Sequence, residues 1–402
     1  MNRFLTFLTI ALLFFVTASS AFANEENAGG IPSSILNLQQ YETGIIQSAR
    51  FFEGFKWNGD IRIRYDAFFD DTGTGAAGTS DRERGRFAMR LGFTKIINPS
   101  VTVGLRFATG TSANPTGTFQ SFDNAAVGKT IGIDLAYLDV VPFSFWRDIH
   151  IVGGKIPQPF RTTSLVWDRD VTPEGIAETL KLKRDKFEWS ITGGQFFMED
   201  NSAPDDPYML GGQIGFVHTL STERGMKWSL TAGQYHFVRP YSIDATAQSK
   251  TNFLAKQHLQ PNGYSIFDLS GWYELTVGDA LPLRVSGGYI QNLSATPNTF
   301  NNQKENRGWT ANLQLGRIDK AGTWEIGGGW RSIESDAALG QFTESEFNSS
   351  LGNTDIQGWT ARISYSPWSN TTLGVSGFHS SRISARNISE RNRIESTIGV
   401  KF

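Results

Sequence analysis

Cysteine is absent from the 402 residues, which excludes disulfides, thiol catalysis and lipidation of an N-terminal cysteine. An excess of either charge is also missing, because 37 Lys plus Arg nearly balance 39 Asp plus Glu. The composition therefore gives no indication of a nucleic-acid partner. Beyond the N-terminus, no stretch approaches the ~18 uninterrupted apolar residues of a membrane-spanning helix. The remaining classes are a soluble exported protein and a membrane β-barrel.

The N-terminus has the three parts of a signal peptide. Residues 1–3 include Arg3, residues 4–16 are almost wholly apolar, and Ala21-Phe22-Ala23 matches an A-x-A cleavage signal. The sequence therefore predicts a signal peptide over residues 1–23, since the apolar run is too short for a retained membrane anchor. Residues 24–54 then form a short periplasmic segment, for which a helix and a disordered lead-in are equally compatible with the spacing.

The chain that follows alternates between apolar and polar residues. Side chains of a strand point alternately to opposite faces, so this period predicts strands with one apolar and one charged face. The first such strand has Trp57, Ile61, Ile63 and Tyr65 on one face and Asp60, Arg62, Arg64 and Asp66 on the other. Residues 86–94 and 101–108 repeat the pattern.

Sixteen segments of this kind are long enough to cross a bilayer as tilted strands, which takes ~10 residues. They lie at 56–69, 82–97, 101–110, 131–141, 149–159, 176–184, 187–198, 208–220, 226–238, 266–278, 282–294, 306–318, 323–335, 356–367, 371–384 and 391–402. The predicted fold is all-β: a transmembrane antiparallel β-barrel of about 16 strands over residues 55–402. An 18-stranded barrel is the alternative if residues 239–265 contain a hairpin. A barrel of this size leaves an aqueous channel.

The connections and tryptophans agree with an outer-membrane barrel, which has short periplasmic turns, long extracellular loops and two aromatic girdles. Short turns such as 98–100 separate long polar loops at 70–80, 111–130, 161–175, 239–265, 295–305 and 336–355. We expect girdle positions for Trp57, Trp146, Trp228, Trp272, Trp309, Trp324, Trp359 and Trp368.

Several of these segments resemble the family of putative porins from Gram-negative bacteria. The most specific stretch is Gly154-Lys155-Ile156-Pro157-Gln158-Pro159-Phe160, followed by residues 166–175; residues 59–65, 81–92, 103–110 and 134–139 also resemble it. The resemblance implies an outer-membrane porin, a passive channel for small hydrophilic solutes or ions. It further implies a homotrimer surrounded by outer-membrane lipids, and no enzymatic activity and no cofactor. The last strand ends on Phe402, which resembles the signal that the barrel-assembly machinery recognises.

Six arginines share the polar face of the first three strands: Arg62, Arg64, Arg84, Arg86, Arg90 and Arg106. Acids that could face them, Asp168, Asp170 and Glu174, lie in the third long loop. By analogy with general porins, this loop folds inward and the two sets form the constriction that sets selectivity. In the alternative, the arginines pair with Asp60, Asp66, Asp134 and loop acids and only solvate the lumen.

Other functions have weaker support. The five histidines lack metal-ligand spacing, and Asp168-x-Asp170 lacks the later positions of a calcium loop, so we predict no metal site. No motif joins a nucleophile to a base, which argues against a barrel enzyme. An adhesin that acts through its surface loops is the remaining alternative.

Overall fold

Sixteen long strands and one two-residue strand form a single sheet in the described part of a computed structural model. The structure describes residues 54–71, 82–110, 115–123, 126–200, 206–240, 264–278, 281–297, 301–347, 353–384 and 390–402. The strands are β1 (Phe55–Asp71), β2 (Arg82–Asn98), β3 (Val101–Thr109), β4 (Gln120–Ser121), β5 (Ile131–Val140), β6 (Ile149–Lys155), β7 (Glu174–Arg184), β8 (Phe187–Phe197), β9 (Tyr208–Ser221), β10 (Met226–Val238), β11 (Tyr264–Val277), β12 (Leu281–Asn292), β13 (Arg307–Gly316), β14 (Trp324–Ile333), β15 (Ile356–Tyr365), β16 (Thr371–Arg382) and β17 (Glu390–Lys401).

The long strands pair antiparallel with their neighbours in chain order, and β17 pairs with β1. This closing seam runs from Asp60 opposite Lys401 to Asp71 opposite Glu390. Closure satisfies the backbone groups that an open sheet edge would expose to lipid. The predicted sixteen-stranded barrel is thus confirmed. The 18-stranded alternative is wrong, because β10 pairs directly with β11 from Lys227 opposite Glu274 to Phe237 opposite Tyr264.

The two faces of the sheet follow the predicted alternation. On β1, the side chains of Trp57 and Ile63 are exposed on the outer surface, whereas Arg64 and Asp66 are buried inside the barrel. One predicted girdle position is wrong, because Trp272 lies on the inner face, with the Arg284 guanidinium 4.5 Å from its ring centroid. The period-two pattern did not reveal this, since its neighbour Tyr273 is also aromatic.

Strand boundaries differ from the prediction around one loop, and the difference moves a candidate site residue. The predicted strand 149–159 ends at Lys155, because Pro157 and Pro159 cannot donate the hydrogen bonds that continue a ladder. The next strand begins at Glu174, two residues earlier than predicted. Glu174 therefore belongs to the barrel wall.

Two loops fold into the barrel instead of remaining outside it. The β6–β7 loop (residues 156–173) and the described parts of the β14–β15 loop (residues 334–347 and 353–355) contribute Phe160, Trp167 and Phe342 to a buried apolar cluster. Inward-facing side chains of the wall, among them Tyr235 and Tyr264, complete this cluster. The apolar core thus lies inside the lumen, at the end where the long loops emerge.

Some predicted features are outside the described residues. The signal peptide (1–23) and nearly all of the segment 24–54 belong to this group. The described part of the chain has no helix that is long and apolar enough to cross a membrane.

Candidate functional site

A cavity of about 740 Å³ occupies the barrel between the inward loops and the strands β10–β17. Hydroxyl and amide side chains, including Thr231, Ser270, Asn312 and Thr360, line it from the strands. Seven arginines and five carboxylates also contribute to its lining among the described residues. The arginines are Arg62, Arg64, Arg161, Arg169, Arg284, Arg331 and Arg362, and the acids are Asp168, Asp170, Glu344, Glu346 and Glu395.

The β6–β7 loop lies directly against the arginine-bearing wall. Asp170 accepts a hydrogen bond from Arg90 Nη2 on β2 at 2.5 Å and another from Thr118 Oγ1 at 3.1 Å. These contacts leave no water-filled gap between Asp170 and Arg90. The open space therefore lies on the other side of this loop, against the strands that follow β9.

The β14–β15 loop packs on the β6–β7 loop through backbone and ring contacts. The Asp168 amide donates to the Phe342 carbonyl at 2.6 Å, and the Glu344 amide donates to the Ser164 carbonyl at 3.1 Å. The rings of Trp167 and Phe342 lie 5.5 Å apart. The two loops thus form one joined obstruction inside the lumen.

The middle of the β14–β15 loop is tied to the closing seam. Glu346 Oε2 lies 2.5 Å from Arg64 Nη1 on β1 and 3.2 Å from Arg393 Nη2 on β17. Arg393 Nη1 also donates to the Glu346 carbonyl at 2.5 Å. Such charge-assisted bonds are roughly twice as strong as neutral ones. We call Glu346, Arg64 and Arg393 the seam latch.

Beside the seam latch, four arginines converge on one buried carboxylate. Asp66 is 2.8 Å from Arg393, 3.0 Å from Arg84, 3.2 Å from Arg64 and 3.8 Å from Arg86. A second cavity of about 160 Å³ opens at these arginines, and we call it the alcove. Its described lining is Arg64, Arg84, Arg86, Thr116, Gly117, Phe119, Ser345, Glu346, Asn353 and Arg393.

The two loop carboxylates have opposite pKa shifts. Burial raises the pKa of the Asp168 carboxyl to about 7, and the nearby Glu344 carboxylate acts in the same direction. Burial alone would also raise the pKa of Glu346, but the positive charges of Arg64 and Arg393 outweigh it and hold this pKa at about 2. Glu346 therefore keeps its negative charge at physiological pH, whereas Asp168 titrates near neutrality.

The residues singled out from the sequence fall into three places. Arg62, Arg64, Asp168 and Asp170 line the central cavity, and Arg84 and Arg86 join Arg64 in the alcove. The other three are not among the described residues that line either cavity: Arg90 pairs with the cavity residue Asp170, Arg106 with Asp134 at 2.5 Å, and Glu174 with Lys155 at 2.8 Å. The arginine cluster is thus largely ion-paired with the acids that the alternative interpretation named, and its role in transport stays a prediction.

Sequence reasoning missed the cavity wall formed by β12, β14 and β15, and it missed the inward course of the β14–β15 loop. Arg284, Arg331 and Arg362 line the cavity from β12, β14 and β15, and their polar alternation could have placed them on the inner face. Arg393 could have been found from the predicted seam, which sets the last strand beside the first. The inward course of the β14–β15 loop had one weak signal, its apolar residues Leu339, Phe342 and Phe347.

Histidines in the described residues make ordinary contacts. His150 Nδ1 lies 2.9 Å from Asp139 Oδ1, and the His218 ring stacks on Phe187 with centroids 4.3 Å apart. In the same part of the chain, no three His, Asp or Glu side chains are arranged to hold a metal ion.

Comparison with solved structures finds the same kind of barrel. OprB of Pseudomonas putida, at high pH, is 10% identical with a TM-score of 0.54, over 90% of this chain and 97% of its own. The outer membrane channel DcaP of Acinetobacter baumannii is 12% identical with a TM-score of 0.47, over 87% and 97%. Salmonella typhi OmpF in complex with daunomycin is 11% identical with a TM-score of 0.48, over 87% and 97%. At this identity the match to OprB, with a TM-score above 0.5, shows the fold alone.

Comparison by sequence shows the family. A search of curated proteins found no match. The family described as "Putative porin" matches residues 72–262 and 260–394, which together exceed half of the chain. These findings give no support to the adhesin alternative, and channels of this family are not enzymes. With a closed sixteen-stranded barrel around a polar lumen, the chain belongs to the putative porin family and is an integral β-barrel channel of the outer membrane.

Proposed function

We propose that small hydrophilic solutes diffuse through the central cavity, and that Arg62, Arg64, Asp168 and Asp170 help to form its constriction. The observation that supports this most strongly is the cavity of about 740 Å³ with its polar lining. Its hydroxyl and amide groups replace part of the water shell of a passing solute. Its charged groups decide which ions enter.

The lining favours anions weakly over cations. Seven arginines stand against five carboxylates among the described lining residues, a surplus of two positive charges. This count takes all five carboxylates as charged, and protonation of Asp168, whose pKa is about 7, enlarges the surplus as the pH falls. Several of these arginines are paired, as Arg362 is with Glu325 at 2.9 Å, which limits the preference.

Single-channel recording on the refolded protein tests this function. The wild type is expected to conduct, with a reversal potential in a salt gradient on the anion-selective side. Arg62→Glu and Arg362→Glu should each move that potential toward cations. If neither substitution moves it, the cavity lining named here does not set selectivity, and a sealed bilayer would refute the pore itself. Swelling of liposomes in sugars of increasing size gives the size limit.

The assembly of the protein follows the same proposal. The signal peptide is removed near Asn24, the barrel-assembly machinery recognises the strand that ends at Phe402, and three copies associate in the outer membrane. Mass spectrometry of the membrane-extracted protein tests the N-terminus, and native mass measurement in detergent tests the trimer. A retained residue 1 or a monomer would contradict the corresponding step.

A further inference from the structure

The four arginines of the alcove carry more positive charge than the described acids in contact with them neutralise. Arg64 and Arg393 each contact Asp66, Glu346 and Glu395, whereas Arg84 contacts Asp66 alone among the described acids. Arg86 reaches that same carboxylate only at 3.8 Å. Four arginines thus share three acids, and the surplus charge lies at Arg84 and Arg86.

Arg86 is held in place by Phe119, and one of its N–H donors has no acceptor among the described residues. Its Nη2 donates to the Phe119 carbonyl at 2.6 Å, and its guanidinium lies 5.4 Å from the centroid of the Phe119 ring. Within the described part of the chain, its buried Nε atom has no hydrogen-bond partner. A buried donor without a partner costs free energy unless a ligand or water accepts from it.

The alcove has the size and the access that a small ligand needs. Its volume of about 160 Å³ is roughly ten times the ~10–15 Å³ that one water needs. Arg64, Phe119 and Glu346 line both the alcove and the central cavity, so the two spaces adjoin. Thr116, Ser345 and Asn353 add neutral hydrogen-bonding groups to its wall.

We infer that the alcove is a binding site for a compact oxyanion, a phosphate or a small carboxylate, held by Arg84 and Arg86. Guanidinium groups match the paired oxygens of either anion, and the surplus charge attracts one to this wall of the lumen. This inference rests on the proposed function in one respect, because an anion reaches the alcove through the proposed channel. Binding of the anion itself depends only on the arginines. It assigns the arginines of β2 a role in solute recognition beyond solvation of the channel.

Isothermal titration calorimetry tests the site on the full chain refolded in detergent. Inorganic phosphate and succinate are titrated separately at pH 7.5 and constant ionic strength. We expect saturable binding of at least one anion, and the tighter one identifies the class. Loss of the charged donors in Arg86→Gln should weaken binding by roughly tenfold or more. Arg86→Lys, which keeps the charge but not the fork, should bind with intermediate affinity.

The matched control is Arg317→Gln. Arg317 pairs with Glu274 at 2.8 Å and is not among the described residues that line either cavity, so its loss should leave binding unchanged. The inference is overturned if the wild type shows no saturable binding, or if Arg86→Gln binds as tightly. Equal weakening by the control would also overturn it. Folding of each variant is checked by circular dichroism. The conductance of the same samples tests the proposed channel function separately. A protein that conducts ions but binds no anion would refute the alcove as a binding site and leave the channel function in place.

Discussion

Glu346 Oε2, near the middle of the β14–β15 loop, lies 2.5 Å from Arg64 Nη1 on the first strand of the barrel. The contact joins a loop inside the lumen to the seam where β1 meets β17. Since Arg64 is only 3% exposed, the loop carboxylate supplies a counter-charge that water cannot replace there. The loop is therefore held in the path of solutes by electrostatics as well as by its apolar packing.

Glu346→Gln should release the loop. The substitution leaves Arg64 and Arg393 without one of their counter-charges, and we expect a loss of about 1–3 kcal/mol in unfolding free energy. This is below the ~3–5 kcal/mol of a fully buried pair, because the Glu346 side chain is 31% exposed. Single-channel conductance should rise as the loop leaves the lumen. Glu188→Gln, which loses a more exposed pair with Lys183 at 2.7 Å, should leave conductance unaltered. Equal conductance in wild type and Glu346→Gln would show that the seam latch does not restrain the loop.

The contact between the two inward loops should weaken as pH rises. The pKa of Asp168 is about 7 in the folded chain against an ordinary value of 3.8, so the folded state holds the proton between these values. The contribution of this group to stability is therefore fully present below about pH 4 and falls as pH rises to about 7. Channel noise should increase over pH 6–8 in the wild type and remain flat in Asp168→Asn. A pH-dependent step that persists in the variant would assign the titration to another group.

The ion pair between Arg90 and Asp170 should couple the β6–β7 loop to β2. Their side chains are 16% and 11% exposed, and the charged hydrogen bond at 2.5 Å should contribute about 1.5–3 kcal/mol. A double-mutant cycle with Arg90→Gln and Asp170→Asn, followed by denaturant unfolding in lipid, measures this coupling energy. A value near zero would mean that the loop is positioned by its apolar cluster alone.

A charged side chain at a lipid-facing position should destabilise the barrel. Ile63 is 49% exposed on the outer surface of β1, and Ile63→Arg should cost ~2–4 kcal/mol if it lies near the bilayer midplane. Ile63→Leu keeps an apolar side chain and serves as the control, with unfolding from vesicles as the measurement. Tolerance of arginine at this position would contradict the assigned outer face.

The contact between Phe402 and Gly59 should matter for closure. Their backbones exchange two hydrogen bonds, at 2.9 and 3.0 Å, and a Cβ added to Gly59 would lie 2.6 Å from the Phe402 ring. Gly59→Ala should therefore displace the ring and slow barrel formation in vitro. Deletion of Phe402 should slow it further in the presence of the assembly machinery. Unchanged folding rates for both variants would show that Phe402 has no role in closing the barrel.

Much of the barrel follows from local pattern. Alternation such as Ile61-Arg62-Ile63-Arg64 assigns each side chain to lipid or lumen without any knowledge of its neighbours, because the strand period is two. Sixteen such segments with short and long connections then predict a closed barrel, and the seam between β17 and β1 confirms it. Pattern also located Arg84 and Arg86 on the inner face.

Ion pairing inside the lumen does not follow from that pattern. Alternation places Arg90 on the inner wall but does not say that Asp170, 80 positions away, reaches it. It likewise placed Glu174 in a loop, whereas two prolines end β6 early and the next strand begins at Glu174 itself. These outcomes depend on where a loop lies in space, for which sequence separation is no guide.

The amino-acid sequence by itself determined the barrel and the chemistry of its two faces, because those properties depend on local period and segment length; the direct pairing of β10 with β11 then decided between sixteen and eighteen strands. Only the tertiary structure decided that the β14–β15 loop enters the lumen, that Glu346 meets Arg64 and Arg393, and that Arg84 and Arg86 surround an alcove. Such contacts join residues from distant segments, and their energy depends on burial and geometry that no local pattern encodes.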